Sequence, residues 1–140
     1  MGKRPKGRED AQRTINAREE ILNFFSCVLE RRFSEAERSI RAIGEKRIRG
    51  DEFGEGYLNA LNGIYLSLRS GDPRDFVNKI LRDAESLGRY DRAFRAKARE
   101  YSRAPYDQGY FSAWWDFIRY YISSGKRVKA PGSEQDQAGI

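Results

Sequence analysis

Glu52-Phe53-Gly54-Glu55-Gly56-Tyr57-Leu58-Asn59-Ala60-Leu61-Asn62-Gly63-Ile64-Tyr65-Leu66-Ser67-Leu68 is the stretch that decides the fold class. Its large apolar residues Phe53, Tyr57, Leu61, Ile64 and Leu68 recur three or four positions apart, which places them on one side of a helix. The spacing predicts a helix over about residues 52–70. Gly54, Gly56 and Gly63 each weaken such a helix by ~1 kcal/mol relative to alanine. Packing must offset that cost, and a glycine also lets a neighbouring helix come close.

A second segment repeats the pattern. Gly56-Tyr57-Leu58-Asn59-Ala60-Leu61 recurs as Gly109-Tyr110-Phe111-Ser112-Ala113-Trp114, an offset of 53 residues. Either two similar helical-hairpin units pack as a pair, or two aromatic helices resemble each other by chance.

Working outward, a first helix is expected over about residues 12–31, with Ile15, Ile21, Leu22, Phe25, Val28 and Leu29 as its apolar stripe. Ser34-Glu35-Ala36-Glu37 has the form of a capping box, so a second helix should start at Ser34, bury Ala36, Ile40 and Ile43, and end at Gly44. Asp72-Pro73 signals the start of a fourth helix with Phe76, Ile80 and Ala84 stacked on one face and Gly88 as its stop. A fifth helix is expected over about residues 91–103, ahead of Pro105, and a sixth over about residues 107–122. No stretch alternates apolar and polar residues as a strand would. The expectation is all-α: about six helices packed as hairpins in one bundle over residues 12–124, with a flexible basic arm at 1–11 and a disordered polar tail at 125–140.

The chain has 27 Lys and Arg against 21 Asp and Glu, a net charge of +6, which favours an anionic partner without specifying one. Residues 1–50 hold 13 of the basic and 8 of the acidic groups, so much of the excess lies in the arm around Lys3, Arg4, Lys6 and Arg8. The abundance of Arg and Glu with few Cys and Met suits a thermophile's ion-paired surface. No apolar run approaches the ~20 residues needed to cross a bilayer, and the basic start lacks the apolar core of a secretory signal. With the lone Cys27 inside an apolar run, this suggests a reducing, cytoplasmic setting.

Catalytic chemistry has little to draw on. Histidine is absent, removing the commonest general acid–base and neutral metal ligand. Cys27 has neither a histidine nor a second cysteine to work with. Neither a phosphate loop nor a dinucleotide fingerprint occurs. The acidic pairs Asp51/Glu55, Asp72/Asp75 and Glu35/Glu37 lie near expected helix starts, where carboxylates meet the helix dipole favourably. Carboxylates from different helices could still converge on a metal, but no cofactor or metal is expected and an enzyme is the least favoured reading.

Two features remain. Arg92, Arg95, Arg99 and Arg103 fall within an arc of roughly 80° on a helix, opposite Phe94, Ala98 and Tyr101. Such a ridge either is a solvated face paired to acids such as Glu100, or binds phosphates of RNA or DNA. Lys46, Arg47 and Arg49, the arm residues Lys3, Arg4 and Lys6, and Lys126, Arg127 and Lys129 would assist if they fold onto the same side. In the sixth helix, Tyr110, Trp114, Phe117 and Tyr121 make one face and Phe111, Trp115, Ile118 and Ile122 its neighbour. The second face is either buried in a central helix or exposed to a protein partner or second copy. The leading expectation is a non-enzymatic nucleic-acid- or ribonucleoprotein-associated protein contacting phosphates without strong base readout; the alternative is a protein–protein adaptor or homodimer.

The short-linked helical pairs resemble tetratricopeptide-like hairpins, although that family's 34-residue period and signature positions are missing. In overall style the chain is also similar to small uncharacterised archaeal all-helical proteins. The resemblance implies an all-helical architecture and assigns no functional residue.

Overall fold

A computed structural model describes residues 17–46 and 51–125. These form six helices and no strand: α1 (Arg18–Leu29), α2 (Phe33–Lys46), α3 (Glu52–Ser70), α4 (Phe76–Arg82), α5 (Leu87–Ala98) and α6 (Pro105–Ser124). The fold is an all-α bundle. The arm, the link 47–50 and the tail after Gly125 lie outside the described residues, as do Ile15 and the expected first turns of the first helix.

At the centre, α3 lies against α6. Phe53, Tyr57, Leu61, Ile64 and Leu68 are all buried, as their spacing requires. Asp51 caps the helix, its Oδ1 accepting from the Gly54 amide at 2.7 Å, and Gly71 closes it in the left-handed region at φ 67°. The echo between α3 and α6 has a physical cause. A Cβ added at Gly56 would fall on the carbonyl oxygen of Tyr106, and one added at Gly109 would fall on that of Phe53. Tyr106 and Phe53 are themselves 53 positions apart, so the contact is reciprocal: each glycine admits the backbone of the other helix.

Around this pair, α1 packs on α2, α2 on α3, α4 on α3, and α5 on α6. The α1–α2 turn is made by Arg31 at φ 60°, a costly conformation for a side chain. Its guanidinium donates to the Leu68 carbonyl at 3.0 Å and lies over the Phe33 ring, which holds the turn. Because the turn closes there, α2 starts at Phe33 with the Ala36 amide bonded to the Arg32 carbonyl, and Ser34 falls inside the helix. The expected capping box therefore does not form. Glu37 instead pairs with Arg41 and accepts from the Tyr65 hydroxyl at 3.4 Å. Nor does Gly44 end α2; it sits against the Leu58 side chain, two residues before the helix does.

The expected fourth helix is shorter and the fifth starts earlier. Asp72 folds back on the Arg74 amide rather than capping a helix, and Asn78 donates to the carbonyls of Ser67 and Asp72 to fix the turn. The chain breaks after Arg82 for a packing reason. Leu81 and Leu87 are both buried, yet on one continuous helix they would point about 120° apart. The break turns both inward and leaves Gly88 inside α5. Val77, Ile80 and Leu81 form the inner face of α4, whereas Phe76 is 44% exposed. At the other end α5 stops at Ala98, so Tyr101 is 99% exposed rather than on the inner side.

Candidate functional site

The junction of α5 and α6 brings together the two features that the sequence left separate. Trp115, on the outer side of α6, is covered by three guanidinium groups. Arg95 lies 6.0 Å, Arg99 5.3 Å and Arg119 5.2 Å from its ring. One turn earlier, Phe111 carries the Lys97 ammonium at 5.1 Å and the Arg103 guanidinium at 5.0 Å. Five cations thus lie along two rings in a strip.

The arginine ridge is rearranged by this. Arg92 and Arg95 stand on α5, Arg99 is its C-terminal cap, and Arg103 lies in the following turn. Pro105 disfavours helical geometry just before it and opens α6 as its first residue, so the ridge cannot continue as one helix. Arg92 remains exposed beside Gly88, away from both rings. Arg103 is ion-paired to Glu100 at 2.5 Å, as a solvated face would have it. Arg95, Arg99 and Arg119 form no ion pair with any described residue.

Asp91 belongs to the same site, lining it with Arg95, Arg99, Trp115 and Arg119. It precedes Arg95 by one helical turn, the spacing of a helical ion pair. Instead its Oδ1 is shielded from water with no hydrogen-bond partner among the described residues, and so is the Trp115 indole N–H. A buried acceptor and a buried donor left unpaired are each costly, and both belong to residues of the cationic site.

The expected outer face of α6 is not a continuous apolar patch. Ile118 is fully buried, on a helix that packs against α3, α5 and α1. Phe111 and Trp115 are half-buried beneath cations, and Ile122 alone of the four is exposed. Lys46 is the last residue of α2, while Arg47, Arg49, Lys3, Arg4, Lys6, Lys126, Arg127 and Lys129 lie outside the described residues. Sequence reasoning missed Arg119 and Asp91. Arg119 follows Trp115 by four residues, a spacing that places it on the same side of α6.

A small cavity of about 130 Å³ lies on the other side of Arg119, between α1, α3 and α6. At its floor the Tyr57 hydroxyl donates to Asp116 Oδ2 at 2.7 Å. Burial raises the Asp116 carboxyl above its ordinary range, against the lowering effects of the Tyr57 bond and of Arg18 and Arg119. Tyr57, fully buried, is pushed well above its usual value by the same loss of water and by the neighbouring carboxylate. Cys27 is buried too; desolvation raises its thiol and keeps it protonated, which suits a core residue.

The acidic pairs are engaged locally. Asp51 caps α3, Asp72 binds Arg74, Glu35 pairs with Arg32 and Glu37 with Arg41. Among the described residues no three Asp, Glu, Cys or His side chains gather as a metal site, and no helix is long and apolar enough to cross a membrane. In comparisons with known proteins, no family model, no curated protein and no solved structure matches the chain.

Proposed function

We propose that this protein is a non-enzymatic nucleic-acid- or ribonucleoprotein-associated protein that grips phosphates along the α5–α6 strip. The observation that carries the reading is the convergence of Arg95, Arg99 and Arg119 on one indole without an ion pair to any described residue. A guanidinium resting on an aromatic ring is held in place and still has N–H donors to direct at an oxyanion. Three such groups side by side suit a run of phosphates better than a single small anion, and aromatics interleaved with arginine are the usual furniture of strand-binding surfaces. Lys97 and Arg103 extend the strip by one helical turn.

The adaptor reading draws less support, since its four residues divide between the core, the cation-covered rings and a single exposed Ile122. The test is fluorescence anisotropy with labelled single-stranded and duplex oligonucleotides at low salt. Arg99→Glu and Arg119→Glu should each weaken binding at least tenfold, whereas Arg69→Glu, on α3 beside Tyr65, should change it little. Equal loss from all three variants would mean that net charge, not this strip, carries the affinity.

A further inference from the structure

Next to the strip, α3, α4, α5 and α6 leave an open apolar groove of about 520 Å³. Gly63 and Ser67 of α3 line it together with the rings of Phe76, Phe94, Trp114 and Phe111. Phe94 and Trp114 are stacked at 5.5 Å with 19° between their planes, and Phe76 meets Trp114 edge-on at the same separation. Phe76 is nevertheless 44% exposed, although it sits in the middle of this aromatic group. Among the described residues no carboxylate lines the groove, and its charged member is Lys97.

The internal echo explains why the groove is open. Tyr57, Asp116 and Tyr120 line the small polar cavity, and Tyr110, Gly63 and Ser67, each 53 positions away from its counterpart, line the groove. Asp116 lines the one and its counterpart Gly63 the other, where no described residue comes within 4 Å of where a Cβ would be. Phe111 and Lys97 are shared with the cation strip, so the groove opens directly onto it.

We propose that this groove receives an unpaired base of a single strand whose phosphates lie on Arg95, Arg99 and Arg119. The inference rests on the phosphate reading above and narrows its ligand to single-stranded nucleic acid. A flat aromatic ligand matches walls made of rings, and every base offers such a face regardless of sequence. A base inside a duplex is stacked on its neighbours and cannot enter. Lys97 and Arg103 over the Phe111 ring favour a ligand tethered to a polyanion over a neutral apolar one.

The experiment compares three ligands of equal phosphate count at low salt: a 12-nucleotide single strand, the same length with abasic sites throughout, and a duplex. The intact chain should bind the single strand about five- to a hundredfold more tightly than the abasic strand, the range for one stacked base. Phe76→Ala removes a lining ring, and Gly63→Leu fills space in the groove without removing a cation. Each should bring the single strand down to the abasic level and leave the abasic and duplex affinities unchanged, with native helicity confirmed by circular dichroism. Equal binding of intact and abasic strands by the unaltered chain overturns the proposal without any variant. So does a single-strand preference that survives Gly63→Leu. If nothing binds at low salt, the phosphate reading itself has failed, and that result is distinct from both.

Discussion

Alanine at Gly56 or Gly109 should be far more damaging than alanine at Gly63, although all three glycines occupy the interiors of helices. On propensity alone each replacement would stabilise its helix by ~1 kcal/mol. At Gly63 there is open space around the new methyl group, so that gain should appear, raising Tm by about 2–4 °C for a chain of this size. At Gly56 the methyl would overlap the Tyr106 carbonyl, and at Gly109 the Phe53 carbonyl. A side chain could rotate away; a helix backbone cannot. The helices must part, and a gap of about 1 Å forfeits a quarter to a half of the dispersion energy at each opened contact. Because α3–α6 is the most extensive interface of the bundle, the loss should lie at or above the upper end of the ~1–3 kcal/mol typical of overpacking. The double variant supplies the sharper test. One separation relieves both overlaps, so the second methyl should add much less than the first. Urea melts followed by circular dichroism would measure all four variants. Gly56→Ala as stable as Gly63→Ala, or two losses that add in full, would refute the reciprocal crossing.

Four further outcomes are expected. Asp116 has a folded pKa above its unfolded value, so its contribution to stability is present below the unfolded pKa and is lost as pH rises through the folded one. Asp116→Asn keeps an acceptor for Tyr57 and should gain stability relative to the parent as pH rises from 3 to 7; a parallel pH profile would contradict this. Tyr57→Phe should cost about 1–3 kcal/mol by leaving the partly buried carboxylate without its donor, and NMR titration should then find Asp116 higher still. Asp91→Asn removes the one carboxylate that lines the cationic site among the described residues and should tighten oligonucleotide binding by about 0.5–1 kcal/mol at low salt; weaker binding would assign Asp91 a direct ligand contact. Cys27 should react with a disulfide reagent only as fast as the protein opens, and prompt labelling of the native chain would contradict its burial.

Where structure is governed by neighbours in sequence, the chain could be read directly. α3 is bounded by a local cap at Asp51 and a left-handed Gly71, and its buried stripe follows helical spacing residue by residue. The Gly56/Gly109 echo was visible as a pattern, but its meaning lay in a contact between helices. Long-range packing explains the misreadings. Ser34 lost its capping role because Arg31, anchored on the Leu68 carbonyl of another helix, closed the turn before it. Asp72-Pro73 has the composition of a helix start, yet Asn78 claims the turn's carbonyls and burial of Leu87 breaks the helix beyond. The ridge was drawn on a helix that stops at Ala98, so only Arg95 and Arg99 of its four members reach Trp115. Arg119 joins them from α6, which a single helical wheel of α5 could not reveal.

The phosphate strip is tested most directly by the salt dependence of single-strand binding. If all five cations of the strip each neutralise a phosphate, the log–log slope should approach about −3.5, at ~0.7 per contact. Removing two of them in Arg95→Ala/Arg99→Ala should lower its magnitude by about 1.4, with unchanged helicity. An unaltered slope in that variant, or no binding by the parent chain at low salt, would contradict the account.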